Sequence, residues 1–244
     1  MSGQKPTKET CAAPLPPSLL AELAKHDTPT ICNSLEIMDP SRRGFGYTKG
    51  SFVVGLPALP PVVGYARTAE IRAASPFDPA EKLAIAMEMY EYVQSGAQPS
   101  IVAMQDLDYE SGVGANWGEI HTQLFHRLGA LGTVTNGAIR DLHANHPGYQ
   151  LLGSRVSPSH RHVRVVSIAR EVDVCGMCVK DGDIIHMDQH GAVCFPPAMA
   201  HGLPEAIAVM VGRERLLLDV INSENFSLDA VRGAMLKGRD IQLK

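Results

Sequence analysis

The stretch from Ser100 to Asp141 limits the fold more than any other part of the chain. A short apolar run, Ser100 to Met104, leads into three acidic residues, Asp106, Asp108 and Glu110. A Gly-rich loop follows, Gly112-Val113-Gly114-Ala115-Asn116, and a helix is predicted to begin near Trp117, with Ile120, Leu124, Leu128 and Leu131 at helical spacing. Gly132 to Thr135 reads as a second strand, closed by the turn-type pair Asn136-Gly137. If this strand pairs beside the first, Arg140-Asp141 arrives at the strand end where the helix begins, and ligands of α/β folds favour such crevices.

That placement suggests a chemistry. The first N–H groups of a helix have no backbone partner, and the helix dipole favours negative charge there. Here those groups belong to Gly118, Glu119, Ile120 and His121, and glycine at 118 lets a ligand come close to the backbone. With Arg140 they can bind a carboxylate or stabilise an enolate. Asp141 can hold a hard divalent cation, Mg²⁺ or Mn²⁺, whose coordination a 2-oxo acid would complete. The competing reading is a plain Gly-rich turn and a solvated Arg-Asp pair.

The remaining sequence frames this block. Residues 1–17 carry four prolines and read as a mobile lead-in, with one domain from 18 to 244. A helix capped by Ser18 is expected to His26, and Thr28-Pro29 starts another with Ile31, Leu35 and Met38 on its apolar face. Arg42 to Pro61 is expected to be a long loop, and Val62 to Arg72 a strand. Asp78-Pro79-Ala80-Glu81 resembles a capping box, opening a helix to about Gln94 with Leu83, Met87, Tyr90 and Val93 inward. Val163 to Ala169, Asp183 to Met187 and Ala192 to Phe195 read as strands. Two helices close the chain, Pro204 to Asn222 and Leu228 to Lys237 after Ser227. Helices at both ends of a mixed set of strands favour one α/β domain.

Composition narrows the function classes. Net charge is −4 and neither half is strongly basic, so nothing asks for nucleic acid. No run of about 18 apolar residues suggests a membrane span, and the N-terminus lacks the apolar core of a signal peptide. The five cysteines, an odd and scattered set, suit reduced thiols in a cytoplasmic protein.

The run Gly118-Glu119 through Gly129-Ala130-Leu131-Gly132-Thr133-Val134-Thr135-Asn136-Gly137-Ala138-Ile139-Arg140-Asp141 resembles the RraA-like family. Its members include the class II 4-hydroxy-4-methyl-2-oxoglutarate / 4-carboxy-4-hydroxy-2-oxoadipate aldolases and the regulator of ribonuclease activity that names it. Supporting stretches are Thr30 to Leu35, Val62 to Thr68, Cys175-Gly176, Lys180 to Asp188, and Gly191 to Val193. The resemblance spans roughly residues 28–200.

The resemblance implies an α/β fold with layered β, β and α elements of the swivelling type, flanked here by N- and C-terminal helices. It implies a homo-oligomer, a trimer or a dimer of trimers, with sites between subunits. It places the carboxylate-binding amides on Gly118, Glu119, Ile120 and His121, the substrate-binding arginine on Arg140 and the metal ligand on Asp141. The acidic residue that orients metal-bound water falls on Glu119, and the glutamate supplied by a neighbouring subunit is assigned to Glu214. The implied activity is divalent-metal-dependent cleavage of a 4-hydroxy-2-oxo acid to pyruvate through a stabilised enolate, with oxaloacetate decarboxylation by the same chemistry. The alternatives are a non-catalytic regulator of an RNA-turnover protein, or a lyase or hydrolase on another 2-oxo or hydroxy acid. The Arg42–Pro61 loop and the N-terminal tail depart from the family pattern.

Other motifs favour structural roles. Cys175-Gly176-Met177-Cys178 lacks a second cysteine pair and reads as part of a buried strand pair. His160-Arg161-His162 reads as a polar loop. His186 and Asp188, two apart on one strand, suit a structural hydrogen bond. Trp117 reads as a core anchor, and His121 as a candidate substrate contact.

Overall fold

The structure, a computed structural model, describes residues 14–243. The expected lead-in therefore falls outside the described residues up to position 13. At its end Leu15 is buried, and its amide donates to the Tyr65 hydroxyl at 2.6 Å.

Helix α1 spans Pro17–Leu23 and α2 Thr28–Met38. Ser18 does not cap α1: Pro16 holds the cap position and Pro17 supplies the first turn's preset φ, so Ser18 lies inside the helix. The Asp27 side chain caps α2 by accepting from Thr30 N–H. The expected loop from Arg42 to Pro61 contains most of a 3₁₀ turn, Pro40–Gly44, and a two-residue strand, β1, Val53–Val54.

The long strand β2 covers Val62–Arg72, and helix α3 covers Pro79–Ser95, capped by Asp78. Helix α3 carries two apolar rows. Val93, expected inward, is buried with Met89, and Tyr90 packs against the same core, whereas Leu83 and Met87, also expected inward, are 64% and 47% exposed. Strand β3 is Ser100–Asp106, β4 is Ala115–Trp117, helix α4 is Glu119–Arg127, and β5 is Ala130–Ile139. Helix α4 thus begins two residues later than expected. It buries Thr122 and Phe125 and leaves Ile120 77% exposed.

Asn136-Gly137 is not a turn. It lies inside β5 at a register shift between Thr135 and Ala138, and the Asn136 amide bonds both the N–H and the C=O of Asp106 on β3. A bulge absorbs what the dipeptide would otherwise spend on a hairpin.

Strand β6 covers Gln150–Val156, a stretch that the sequence pattern does not mark as a strand. Strand β7, Arg164–Ile168, precedes the small hairpin β8, Val172–Val174, and β9, Met177–Val179. Cys175-Gly176 is the two-residue turn of that hairpin, both residues having positive φ. Burial raises the Cys175 thiol pKa, and a hydrogen bond to Asp173 raises that of Cys178, which favours thiols over thiolates. Strands β10, Ile184–Asp188, and β11, Gly191–Phe195, lead to helices α5, Leu203–Ile221, and α6, Leu228–Arg239, the latter capped by Ser227.

Nine strands form one curled sheet, ordered β1-β6-β5-β3-β2-β10-β11, with β4 added beside β5 and β7 beside β2. Its centre, β2, β3, β5 and β6, is parallel. Both faces of this centre are covered, which explains the unbroken apolar run of β3. Val102 and Met104 point to the side of α3 and α4, while Ile101 and Ala103 pack with Val172, Val174, Met177 and Val179 of the small hairpin. A further cluster joins α1, α2 and the start of α5 to β10 and β11. The result is a layered α/β fold with helices at both ends, as expected. No described helix is long and apolar enough to cross a membrane.

His186 and Asp188 fasten β10 to α2. Asp188 Oδ2 accepts Thr28 N–H at 2.9 Å, and His186 Nδ1 lies 3.0 Å from Thr28 Oγ1. Burial holds the His186 imidazole down at about 4. The folded protein therefore refuses a proton that the unfolded chain accepts near its ordinary value. This contribution to stability is present above about pH 6.5 and is lost as the pH falls towards 4. The urea midpoint is expected to fall between about pH 7 and about pH 5, and His186→Gln to flatten that fall. An equal fall in the variant would show that another group is responsible.

Candidate active site

The parallel pairing of β3 with β5, and of β4 with β5, brings the end of β5 to the start of α4. Trp117 and Ile139 are register partners, and the Arg140 N–H donates to the Trp117 carbonyl at 2.9 Å. Trp117 is fully buried. It packs edge-on against Phe125 with centroids 4.7 Å apart, and its Nε1–H points at Met104 Sδ at 3.2 Å. It is the core anchor expected from its position, and it sets the height at which helix and Arg-Asp pair meet.

Gly118 is the N-cap of α4. A Cβ there would stand 2.5 Å from Asp141 Oδ2 and 3.0 Å from Arg140 Cγ, so the close approach depends on glycine. Asp141 Oδ2 lies 3.3 Å from the Glu119 amide nitrogen and 3.3 Å from Arg140 Nε. The helix mouth thus already faces a carboxylate, and it belongs to the chain itself. Asp141 has φ +53°, a left-handed conformation that aspartate tolerates better than most residues. Its carbonyl accepts from Ala144 at 2.8 Å and Asn145 at 3.2 Å. The Asn145 side chain donates to the Arg140 carbonyl at 3.3 Å, and Thr122 Oγ1 of α4 accepts from His146 N–H at 3.0 Å. The loop after Asp141 is therefore tied to the same helix.

The acidic end of β3 holds two neighbouring loops. Asp106 accepts the Gly112 amide at 2.7 Å, and Asp108 accepts Ala73 and Ala74 amides at 2.6 and 2.8 Å. These carboxylates hold loops rather than a ligand.

A cleft of about 210 Å³ opens beside the mouth, between α3, β4, the inner side of α4 and residues 160–165. Gly118, Ile120, His121 and Arg140 all line it. His121 Nδ1–H donates to the Asn116 carbonyl, which leaves Nε2 towards the Tyr90 hydroxyl at 3.4 Å. Burial in this aromatic cluster holds the imidazole below its ordinary pKa, and so neutral. Glu119 is exposed at the first helical position and lies on the outer side, where the surface hollow also takes in His126 and His146.

The sequence-derived residues Gly118, Glu119, Ile120, His121, Arg140 and Asp141 are thus brought together in one chain. Glu214 is not: it is exposed on α5, away from the mouth-lining residues. Sequence reasoning missed Thr122 and Asn145 as the ties of the loop, because no spacing rule joins a helix to a loop threonine-asparagine pair. It also missed Lys82, Tyr90 and Arg164 as cleft residues. Tyr90 is expected inward on α3 but not as part of a cleft, and Lys82 lies outside the expected apolar row.

A layered α/β fold with an anion-accepting helix mouth at the end of parallel strands is the class this geometry defines. The family model for RraA-like proteins (Aldolase/RraA) matches residues 28–194, and the chain belongs to that family. A search of curated proteins finds no match. Among solved structures, an uncharacterized protein from Pseudomonas syringae pv. tomato str. DC3000 is similar at a TM-score of 0.70 and 20% identity, over 97% of this chain and 100% of that one. The Streptomyces coelicolor protein RraAS2, described as an unusual member of the RNase ES inhibitor RraA family, has a TM-score of 0.62 and 22% identity over 83% of this chain and 94% of its own. The RNA-processing inhibitor RraA from Thermus thermophilis reaches 0.50 and 17% over 66% of this chain and 90% of its own. These likenesses bear on the fold.

Gly118→Ala is expected to fold, because the atom its methyl meets most closely is the free end of the Asp141 side chain. The carboxylate should be displaced from the Glu119 amide. The Glu119 amide resonance should then shift in the direction seen for Asp141→Asn. An unshifted Glu119 amide in Gly118→Ala would contradict the close approach.

Proposed function

We propose that this chain is a carbon–carbon lyase that cleaves a 4-hydroxy-2-oxo acid and releases pyruvate, assisted by Mg²⁺ or Mn²⁺, with oxaloacetate decarboxylation as a related activity. The observation that carries this reading is the convergence of the Glu119 amide, Arg140 and Asp141 at one helix mouth that opens into a cleft.

The donor set suits such a cation. Asp141 offers one carboxylate, its Oδ1 takes no hydrogen bond from the described residues, and Glu119 stands exposed beside it. No three His, Cys, Asp or Glu side chains gather into a metal-holding group among the described residues. A site of one or two carboxylates fits a hard cation that keeps much of its water, unlike the closed sets typical of structural zinc. When bound, the cation would act as a Lewis acid towards the 2-oxo group.

The chain's own residues would do the rest. Arg140 and the α4 amides bind the substrate carboxylate in the mouth. Glu119, through water, accepts the proton of the C4 hydroxyl. The C3–C4 bond then breaks, a carbonyl forms at C4, and its electron pair becomes the C2–C3 enolate, whose charge Arg140 offsets. A proton returned to C3 completes pyruvate. Neutral His121 and Tyr90 put no charge on the part of the cleft wall that they form.

Assembly belongs to the same proposal. Leu83, Met87 and Ile120 are exposed apolar side chains on the helices that form the cleft. A homo-oligomer, trimer or dimer of trimers, would cover such a rim. Glu214 is the residue proposed to come from a neighbouring copy.

A lactate dehydrogenase-coupled assay over a panel of 4-hydroxy-2-oxo acids tests the reading. Pyruvate release is expected with Mg²⁺ and not with chelator. Arg140→Ala should lose about 100-fold or more in kcat while its circular dichroism is unchanged. Full activity in that variant would sink the mechanism. No release from any substrate would favour a non-catalytic binding role, the kind named for the Streptomyces relative.

A further inference from the structure

We infer that Asn145 is a positioning residue of the candidate site: it grips the peptide groups on either side of Asp141 and so sets the direction in which that carboxylate points. This rests on the reading of Asp141 as the ligand of the cation and adds to it the residue that aims the ligand.

The conformation of Asp141 is set by two backbone torsions, and each turns a neighbouring carbonyl. The Arg140 carbonyl, which moves with φ, accepts from Asn145 Nδ2 at 3.3 Å. The Asp141 carbonyl, which moves with ψ, accepts from Asn145 N–H at 3.2 Å and from Ala144 N–H at 2.8 Å. Asn145 thus holds both sides of a conformation, φ +53°, that residues other than glycine adopt at a cost. The Arg140 N–H is bound to the Trp117 carbonyl, so Arg140 is fixed at both of its backbone groups. Without Asn145, Asp141 is free to return to the right-handed or extended region. Its carboxylate would then leave the place beside Gly118 that the absent Cβ keeps open.

Asn145 is itself held in place. It is buried, with 8% of its surface exposed. Its Oδ1 stands 3.5 Å from Thr122 Oγ1, which leaves Nδ2 on the side of the Arg140 carbonyl. Thr122 is fully buried on α4 and also accepts His146 N–H at 3.0 Å. Farther along, the rings of His126 and His146 stack with centroids 3.8 Å apart. Glu119, Thr122 and His126 are at positions i, i+3 and i+7 of α4, so the loop is fastened along one side of the helix. These fastenings differ in what they do. The imidazole stack holds the loop to the helix and touches neither carbonyl beside Asp141. Asn145 both fastens the loop and fixes Asp141.

Two measurements on the full chain test this: the Glu119 amide resonance without metal, and Mn²⁺ affinity from the electron paramagnetic resonance signal of the free ion. The variants are Asn145→Ala, Asn145→Leu and His146→Ala. In both Asn145 variants the Glu119 amide is expected to shift in the direction seen for Asp141→Asn, and Mn²⁺ to bind about ten-fold or more weakly. Asn145→Leu lacks the donor but keeps the bulk, which guards against collapse of the buried place in the smaller variant. His146→Ala removes only the stack. It should lower the melting temperature while leaving the resonance and the Mn²⁺ affinity as they are. An unshifted Glu119 amide or an unchanged Mn²⁺ affinity in the Asn145 variants, or the same two changes in His146→Ala, would overturn the inference. Absence of Mn²⁺ binding in the unaltered protein would instead remove the metal-ligand reading, and the amide resonance would still decide whether Asn145 aims Asp141.

Discussion

The hydrogen bond from Arg140 N–H to the Trp117 carbonyl is the joint on which the candidate site turns. It closes β4 against β5 one residue before the helix cap. With Trp117 buried and Ile139 its register partner, neither side can slide without opening the aromatic core. Everything described at the mouth depends on this register: the approach of Asp141 to Gly118, the position of Arg140 beside the cap, and the tying of the following loop to Thr122. A slip of one residue would turn Arg140 to the opposite face of the sheet.

Much of the fold was legible in the sequence because its buried strands are continuous apolar runs and several helices carry explicit caps. The run Ser100 to Met104 and the strands β10 and β11 stood out as apolar segments, and the caps at Asp78 and Ser227 marked real helix starts. The site was legible for a related reason. Gly118, Arg140 and Asp141 are close in sequence and are joined by one crossover helix, so a single topological assumption brought them together. Where the reading failed, tertiary pairing outweighed local preference. Asn136-Gly137 has turn chemistry, yet the Asn136 amide satisfies both backbone groups of Asp106 and the chain stays extended. Leu83 and Met87 form a plausible core row, yet the neighbouring row is the one that meets the sheet. Strand β6 went unseen because Gly153 and Ser154 interrupt its apolar run, although β5 and β1 both pair with it. Lys82 and Arg164 are far apart in sequence, and nothing but the fold brings them to one cleft.

The family match ends at residue 194, near the end of β11, and α5 and α6 lie beyond it. The strands and helix that build the mouth all lie within the matched region. The cleft also lies within it, but its far wall comes from α3 and from the loop before β7, away from the Gly118–Asp141 block that carries the strongest resemblance.

The Asp141 carboxylate in front of the Glu119 amide has a further consequence. A helix mouth open to solvent would take up small anions without discrimination. Here the place is held by a carboxylate tethered to the chain, whose effective concentration at the amide is set by the Arg140–Trp117 joint rather than by the surrounding solution. A free anion with a single point of attachment competes poorly against it. A ligand that holds on elsewhere in the cleft recovers the difference through its other contacts. For the ligand proposed for this mouth, the resident carboxylate would set an affinity threshold that simple anions do not pass.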